Sequence, residues 1–544
     1  MKKIISLFLA TAIFLSFAGV CFAADEEVLA VKCYNGIFTG AKNDGVISFK
    51  GIPYAKAPVG ERRWKAPEPV DASDETFDAT EFGNTCLQSA STEHVWGKPM
   101  SEDCLTLNIW ASDLETKNKP VMFWIHGGSY GWGGTNDPLY DGQYLVDTYG
   151  DLIVVTVNYR VNLLGFIDFS HVPGGEEFPD APYLGILDQQ MALKWVQQNI
   201  EAFGGDPDNV TIFGESAGGG SVISLLAAEG SDGLFRRAIA MSGAGLNYTQ
   251  EKHDSQNQAG ELLAAAGCAT MDDLMALSEE ELLEAMEKGT DRVGDENGSR
   301  VSDFNNFPMK DDERSIIPAD VSGAVAARAS GVDLMIGTVG DEMRYWIEEM
   351  GMDTDDENME VFYDYIIDRF ARYKERFPEY TENLETALAI SRPVQDEKYS
   401  AMYPGIWEYT DISSELSFRI PSIEIAEKHA AASGNGKTYM YSFNKRGTVN
   451  DWIGACHACE LCYAFNNTAF EYMVGKADPQ LAADVSAAWV AFARTGDPST
   501  SEHPWPEFNA DTRTTMMIND DCTMMTEDDP RSTMRVLLEP VKIF

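Results

Sequence analysis

Positive charge is scarce in this sequence. The 544 residues carry 41 Lys and Arg against 87 Asp and Glu, a formal net charge of −46. A field of that sign repels a polyanion, so nucleic acid is excluded as a partner, while neutral and cationic ligands are not. The acidic excess reads first as solvated surface that keeps the chain soluble. Long apolar runs are equally few. Only "IISLFLATAIFLSFAGV", behind Lys2 and Lys3, is of any length, which argues against a membrane-embedded body. That run is short for a span and is followed by small residues at Cys21 and Ala23, the pattern of a secretory leader cleaved after Ala23. A lipoprotein cleavage before Cys21 is disfavoured by Val20, which stands where a small residue is usual. The chain is therefore expected to be exported, secreted or periplasmic. Loss of Lys2 and Lys3 with the leader takes its formal charge to −48. Internal repeats and low-complexity linkers are absent, so residues 24–544 are expected to form one domain.

What is present suits a large core: 44% of residues are hydrophobic and 11% aromatic. The segments "LTLNIWA", "PVMFWIHGG", "DLIVVTVNYR", "NVTIFG", "RRAIAMSG", "VDLMIGT" and "KTYMYSF" are β-branched or aromatic runs of strand length. Between them "ILDQQMALKWVQQNIEAF" and about Ala217 to Ala228 have helical spacing. Strand and helix alternate, which predicts an α/β fold with a largely parallel sheet. Acidic helical segments at about 246–306 and 352–430 read as insertions forming a lid or pocket region.

The chemistry is concentrated at "FGESAGGGS", Phe213 to Ser221. Gly-x-Ser-x-Gly between a strand and a helix is a nucleophile elbow, in which Gly214 and Gly218 must be nearly free of side chain. Ser216 is then the nucleophile, and the N-terminus of the following helix turns N–H groups toward an oxyanion forming beside it. A serine hydroxyl needs a base, and the base needs a carboxylate. On this architecture the order is Ser, acid, His. Of seven histidines only His429, His457 and His503 come late enough. His429 sits in a helical run and His503 precedes a proline, which leaves His457, in a loop after "KTYMYSF". The loop after "VDLMIGT" offers Asp341 and Glu342 as the acid, and spacing does not separate them. "FWIHGGSYGWGG" follows a strand as an oxyanion loop does, so backbone N–H groups of Gly128, Ser129 and Ala217 are the expected donors.

The sequence resembles the type-B carboxylesterase and cholinesterase family of α/β-hydrolases, from about Gly45 to the C-terminal region. The resemblance is densest in "FKGIPYAKAPVGERRW", "SEDCLTLNIW", "NYRVNLLGF" and "LDQQMALKWVQQNIEAFGGDPDNVTIFGESAGG". It implies an α/β-hydrolase fold and a serine carboxylic-ester hydrolase that acts on small-molecule esters without a cofactor. It also implies a triad of Ser216, Glu342 and His457, a disulfide between Cys86 and Cys104, and structural ion pairs of Arg63 with Glu102 and Arg160 with Asp188. Three positions depart from the family pattern: Ser129, Met343 and Ala458 stand where glycine is usual.

Eight cysteines remain after the leader, and an oxidising compartment lets them pair. Cys86 and Cys104 bracket a short loop, whose closure is worth about 3 kcal/mol in the chain-entropy picture. Cys33, Cys268 and Cys522 have no evident partners. Cys456, Cys459 and Cys462 have C-x-x-C-x-x-C spacing around His457. Metal ligation there conflicts with a histidine acting as base, so no metal is expected and a disulfide, with Cys522 as one partner to consider, is preferred. Trp96, in the Cys86 to Cys104 loop, raises choline-ester specificity by cation–π contact as a narrower alternative to a general carboxylesterase. A binding or adhesion protein on the same fold is the rival from another class, disfavoured because all three triad positions are filled.

Overall fold

The computed structural model describes residues 29–88, 99–244, 252–292, 307–311, 315–349, 367, 371, 374–375, 377–392, 405–449, 452–471 and 475–541. The leader and Trp96 lie outside them. Among the described residues the main sheet has eleven strands: β1 Ala41–Asn43, β2 Val46–Pro53, β3 Thr106–Ala111, β4 Lys119–Ile125, β5 Ile153–Val157, β6 Gly205–Glu215, β7 Arg237–Met241, β8 Asp333–Val339, β9 Thr438–Phe443, β10 Thr514–Ile518 and β11 Met524–Asp528. Their spatial order is β1-β2-β3-β5-β4-β6-β7-β8-β9-β10-β11. From β5 to β10 neighbouring strands are parallel. The outer pairs, β1–β2, β2–β3, β3–β5 and β10–β11, are antiparallel.

The strand segments read from the sequence coincide with β3 to β9. Strands buried on both faces cannot alternate with polar residues, which is why they read as unbroken apolar runs. Every residue of β3, β4, β5, β7 and β9 is buried. The antiparallel β10 and β11 carried no comparable signal. β11 has only Met524 buried, and an exposed edge strand has little reason to be apolar.

Two helices matter for the site: α1, Leu184–Asn199, and α2, Ala217–Ala227. Gly204, at φ +92°, ends the turn that continues α1, and β6 begins at the next residue. Of the segments expected as insertions, the first carries α3, Lys252–Ala266, and α4, Glu279–Arg292, packed on each other. The second carries α5, Ile406–Ser414, and α6, Ile420–Ala430, joined by a five-residue π-helical segment, Glu415–Arg419. No helix of the described residues is long and apolar enough to cross a membrane.

Buried ion pairs brace the N-terminal half. Arg63 and Glu102 form a fork with both N–O distances at 2.6 Å, and Arg160 holds Asp188 by two bonds of 2.8 and 2.6 Å. All four residues are at least nine-tenths buried, so each charge depends on its partner.

Candidate active site

Ser216 sits where β6 gives way to α2, at φ +56° and ψ −123°. A residue with a side chain is strained in that region, and such strain persists only where the surroundings enforce it. Here they do. A Cβ on Gly218 would lie 2.0 Å from the Ile125 carbonyl oxygen, and one on Gly214 would lie 2.5 Å from the Gly218 carbonyl carbon. The elbow therefore packs against the C-terminal end of β4 with no room for a methyl group. Ser216 N–H donates to Met241 O at 3.0 Å, and its own carbonyl accepts the first bond of α2 from Gly220 N–H at 2.8 Å.

The glycine loop after β4 lies against this turn: a Cβ on Gly127 would come within 3.1 Å of Ser216 Cβ. Gly128 has φ +102°, and Gly131 and Trp132 N–H groups both donate to its carbonyl, at 2.9 and 3.1 Å. Ser129 and Tyr130 follow in left-handed conformation, φ +51° and +55°. Serine at 129 thus adopts the backbone that glycine would adopt more cheaply. His126 steadies the loop from below. Burial holds its pKa down at about 4, its Nδ1 bonds Gly127 O at 2.8 Å, and its ring stacks on Tyr159 at 4.4 Å.

His457 and Glu342 meet although 115 residues apart: Nδ1 donates to Glu342 Oε2 at 2.5 Å. The other Glu342 oxygen accepts from Val339 N–H at 3.0 Å, and His457 N–H donates to the Glu342 carbonyl at 3.3 Å. Asp341, the alternative acid, is used differently. It accepts from Ala455 N–H at 3.0 Å and pairs with Arg344 at 3.1 Å, tying the two loops together. Ala458 has φ +65°, another glycine-like conformation. Met343 N–H donates to Ser414 Oγ at 3.1 Å.

Two acids that the sequence reading did not single out complete the surroundings. Glu215, immediately before Ser216, places Oε1 3.1 Å from His457 Nε2. Glu460 is fully buried, and Ser242 Oγ donates to it at 3.5 Å. Burial and the neighbouring Glu342 push Glu215 up to about 7, against the pull of His457. Glu460 is pushed well above the ordinary range by burial and by Glu215 and Glu342. Burial lowers the pKa of the imidazole, but Glu215, Glu342 and Glu460 together outweigh it and raise His457 to about 9. Trp346 and Phe418 flank the ring at 5.1 Å and Tyr345 at 5.9 Å. The one signal for Glu215 was its place in "GESAGG"; Glu460 reads in the sequence as one more acid in an acidic chain.

The cysteines near the base do not converge as a ligand set with His457, whose Nδ1 is engaged by Glu342. Cys456, Cys459 and Cys462 are buried, unbridged thiols, and Cys462 Sγ turns to the Cys459 carbonyl at 3.7 Å. The Cys86 to Cys104 bridge is likewise not formed: both are buried free thiols, and the neighbouring Cys86 together with burial holds the Cys104 thiol well above its ordinary pKa. Cys522 is also unbridged.

A strained serine after a parallel strand, a glycine loop packed against it, and a buried histidine bonded to a glutamate in the loop after β8 define a carboxylic ester hydrolase of the α/β-hydrolase fold. Residues 26–535 match the model of the carboxylesterase family, and the chain belongs to that family. It is 36% identical over 519 residues to the para-nitrobenzyl esterase of Bacillus subtilis (strain 168), covering 93% of this chain and 98% of that one. It is 30% identical over 500 residues to an acetylcholinesterase of Bungarus fasciatus, covering 86% and 78%. The crystal structure of a Geobacillus stearothermophilus carboxylesterase superposes with a TM-score of 0.79 at 32% identity, over 94% of this chain and 99% of that one.

Proposed function

We propose that the chain hydrolyses small-molecule esters by a Ser-His-Glu triad through an acyl-enzyme. Ser216 Oγ attacks the ester carbonyl carbon while its proton passes to His457 Nε2. Glu342 holds the resulting imidazolium through Nδ1. The N–H groups of Gly128, Ser129 and Ala217 bear the charge that develops on the carbonyl oxygen. The tetrahedral intermediate collapses, the bond to the leaving alcohol breaks, and the alcohol takes the proton from Nε2. Water then attacks the acyl-serine with His457 as base again, and the carboxylic acid leaves. Every group named is protein, so the reading calls on no cofactor.

The observation that carries this reading is the 2.5 Å bond from His457 Nδ1 to Glu342. It engages Nδ1 and leaves Nε2, which faces Glu215 Oε1 at 3.1 Å without a hydrogen bond among the described residues, as the nitrogen that would take the serine proton. Ser216→Ala is expected to abolish turnover of a short p-nitrophenyl ester without changing the fold, and a fluorophosphonate is expected to label wild type at Ser216. Full turnover by the variant, or a wild-type adduct elsewhere, refutes the assignment. The acyl and alcohol parts of the substrate are read most economically as those of a general carboxylesterase, with choline esters as the narrower reading.

Export through the leader belongs to the same proposal. In an oxidising compartment the thiols of Cys86 and Cys104 are expected to oxidise and close their loop. Thiol titration of the secreted protein, denatured with and without reductant, tests both points.

A further inference from the structure

We infer that the protein carries a second binding site, for a small oxyanion, behind the loop that supplies Glu342. A cavity of about 300 Å³ opens there, at the C-terminal ends of β8, β9 and β10. Three guanidinium groups line it, from Arg392, Arg419 and Arg531, together with Ser442 and Asn444. In a chain with twice as many acids as bases, three arginines in one cavity are not surface dressing. Two buried carboxylates balance part of this charge. Arg531 grips Asp411 at 2.9 and 2.6 Å and Glu415 at 2.6 Å, and Arg419 holds Glu415 at 2.8 Å. Arg392 shares Asp411 at 3.3 Å. Three cations face these two buried carboxylates and a third, Glu527, which is exposed on the rim and so weakened by solvent; Glu415 and Glu527, which line the cavity, are the groups that oppose an anion.

Donors remain for a ligand. Arg419 is over nine-tenths buried, and its Nε–H bonds nothing; Arg392 Nη1, on a half-exposed side chain, is likewise without a partner among the described residues. Guanidinium N–H groups in fixed orientation suit the oxygens of a carboxylate or phosphate. Glu415 and Arg419 stand at the two ends of the π-helical segment. A π turn inside a helix is unfavourable by itself and recurs where function requires a side chain to be re-aimed.

The cavity also touches the acid loop. Arg392 Nη2 donates to the Gly340 carbonyl, and Ser414 Oγ, on the cavity wall, accepts from Met343 N–H at 3.1 Å. These two bonds flank Asp341 and Glu342, so an anion that draws Arg392 toward itself alters the support of the carboxylate that orients His457. This coupling rests on the triad reading above; the binding itself does not.

The test is titration of the full-length protein with inorganic phosphate and, separately, with acetate at constant ionic strength, followed by calorimetry and by ester turnover. Wild type is expected to bind at least one of them saturably, including after Ser216 has been blocked by a fluorophosphonate. The tighter of the two identifies the ligand as phosphate-like or carboxylate-like. Arg392→Gln is expected to weaken binding at least tenfold. Asn444→Asp, which adds a negative charge to the wall without breaking an ion pair, is expected to do the same and guards against a folding defect in the first variant. Absence of saturable binding, binding lost on blocking Ser216, or unchanged affinity in both variants overturns the site. If binding holds but turnover at saturating anion equals that without it, the coupling is overturned; failure of Ser216 labelling separately marks failure of the triad.

Discussion

Replacing Glu215 by Gln is expected to move the acidic limb of the pH–rate profile to lower pH. On the proposed mechanism His457 takes the serine proton only when neutral, and its pKa is held up at about 9 because burial is outweighed by Glu215, Glu342 and Glu460. Glu215 is the neighbour of the working nitrogen, with Oε1 3.1 Å from Nε2. At an effective dielectric of about 20 two unit charges at that distance attract by roughly 5 kcal/mol, an upper bound. The realised effect is smaller, because Glu215 itself titrates at about 7 and shares its charge with the coupled histidine. A shift of about 1–2 pH units is therefore expected, within the range for an opposite charge at such distance. Gln keeps the shape of the side chain and removes its charge. The assay is kcat/KM for a p-nitrophenyl ester across pH, corrected for ionisation of the product phenol. A limb that stays put or moves up, in a variant with wild-type circular dichroism, refutes the argument. The same group predicts a stability trend. His457 has a folded pKa of about 9 against an ordinary 6.5, so its contribution is complete below about 6.5 and is lost as pH rises through about 9. Glu215→Gln should narrow that window, as measured by denaturant midpoints across pH.

Other outcomes follow from packing and charge. Ala458→Gly should stabilise the fold by about 0.5–1 kcal/mol in urea unfolding, since φ +65° is strained for alanine and natural for glycine. Asp188→Asn leaves Arg160 without its carboxylate in a fully buried setting and should cost about 3–5 kcal/mol by the same measure. Gly218→Ala should yield little folded protein or none active, because the added methyl would lie 2.0 Å from the Ile125 carbonyl oxygen. Soluble expression and esterase activity are the readouts.

Much of this protein was legible in one dimension because its central strands are buried on both faces, and burial leaves long apolar runs that polar chemistry interrupts only where it is needed. β3 to β9, the helix after Ser216, and the glycines on both sides of the serine all follow from that local rule. Chain order reduced seven histidines to three, and their local context left His457 as the candidate base. What the linear chain could not decide was direction. Asp341 and Glu342 are adjacent, equally acidic and equally placed after β8; folding turns one toward Ala455 and Arg344 and the other toward the imidazole. Glu215 and Glu460 were hidden for a related reason: an acid becomes notable only when tertiary packing strips its water and sets it beside another charge. The arginine cavity is the extreme case, since Arg392, Arg419 and Arg531 come from three separate segments and share no pattern until the fold brings them together. Local sequence determines which segments are strands, helices and tight turns, because backbone sterics and apolar periodicity are local. Pairings between distant charges depend on distance in space, and that belongs to the folded chain alone.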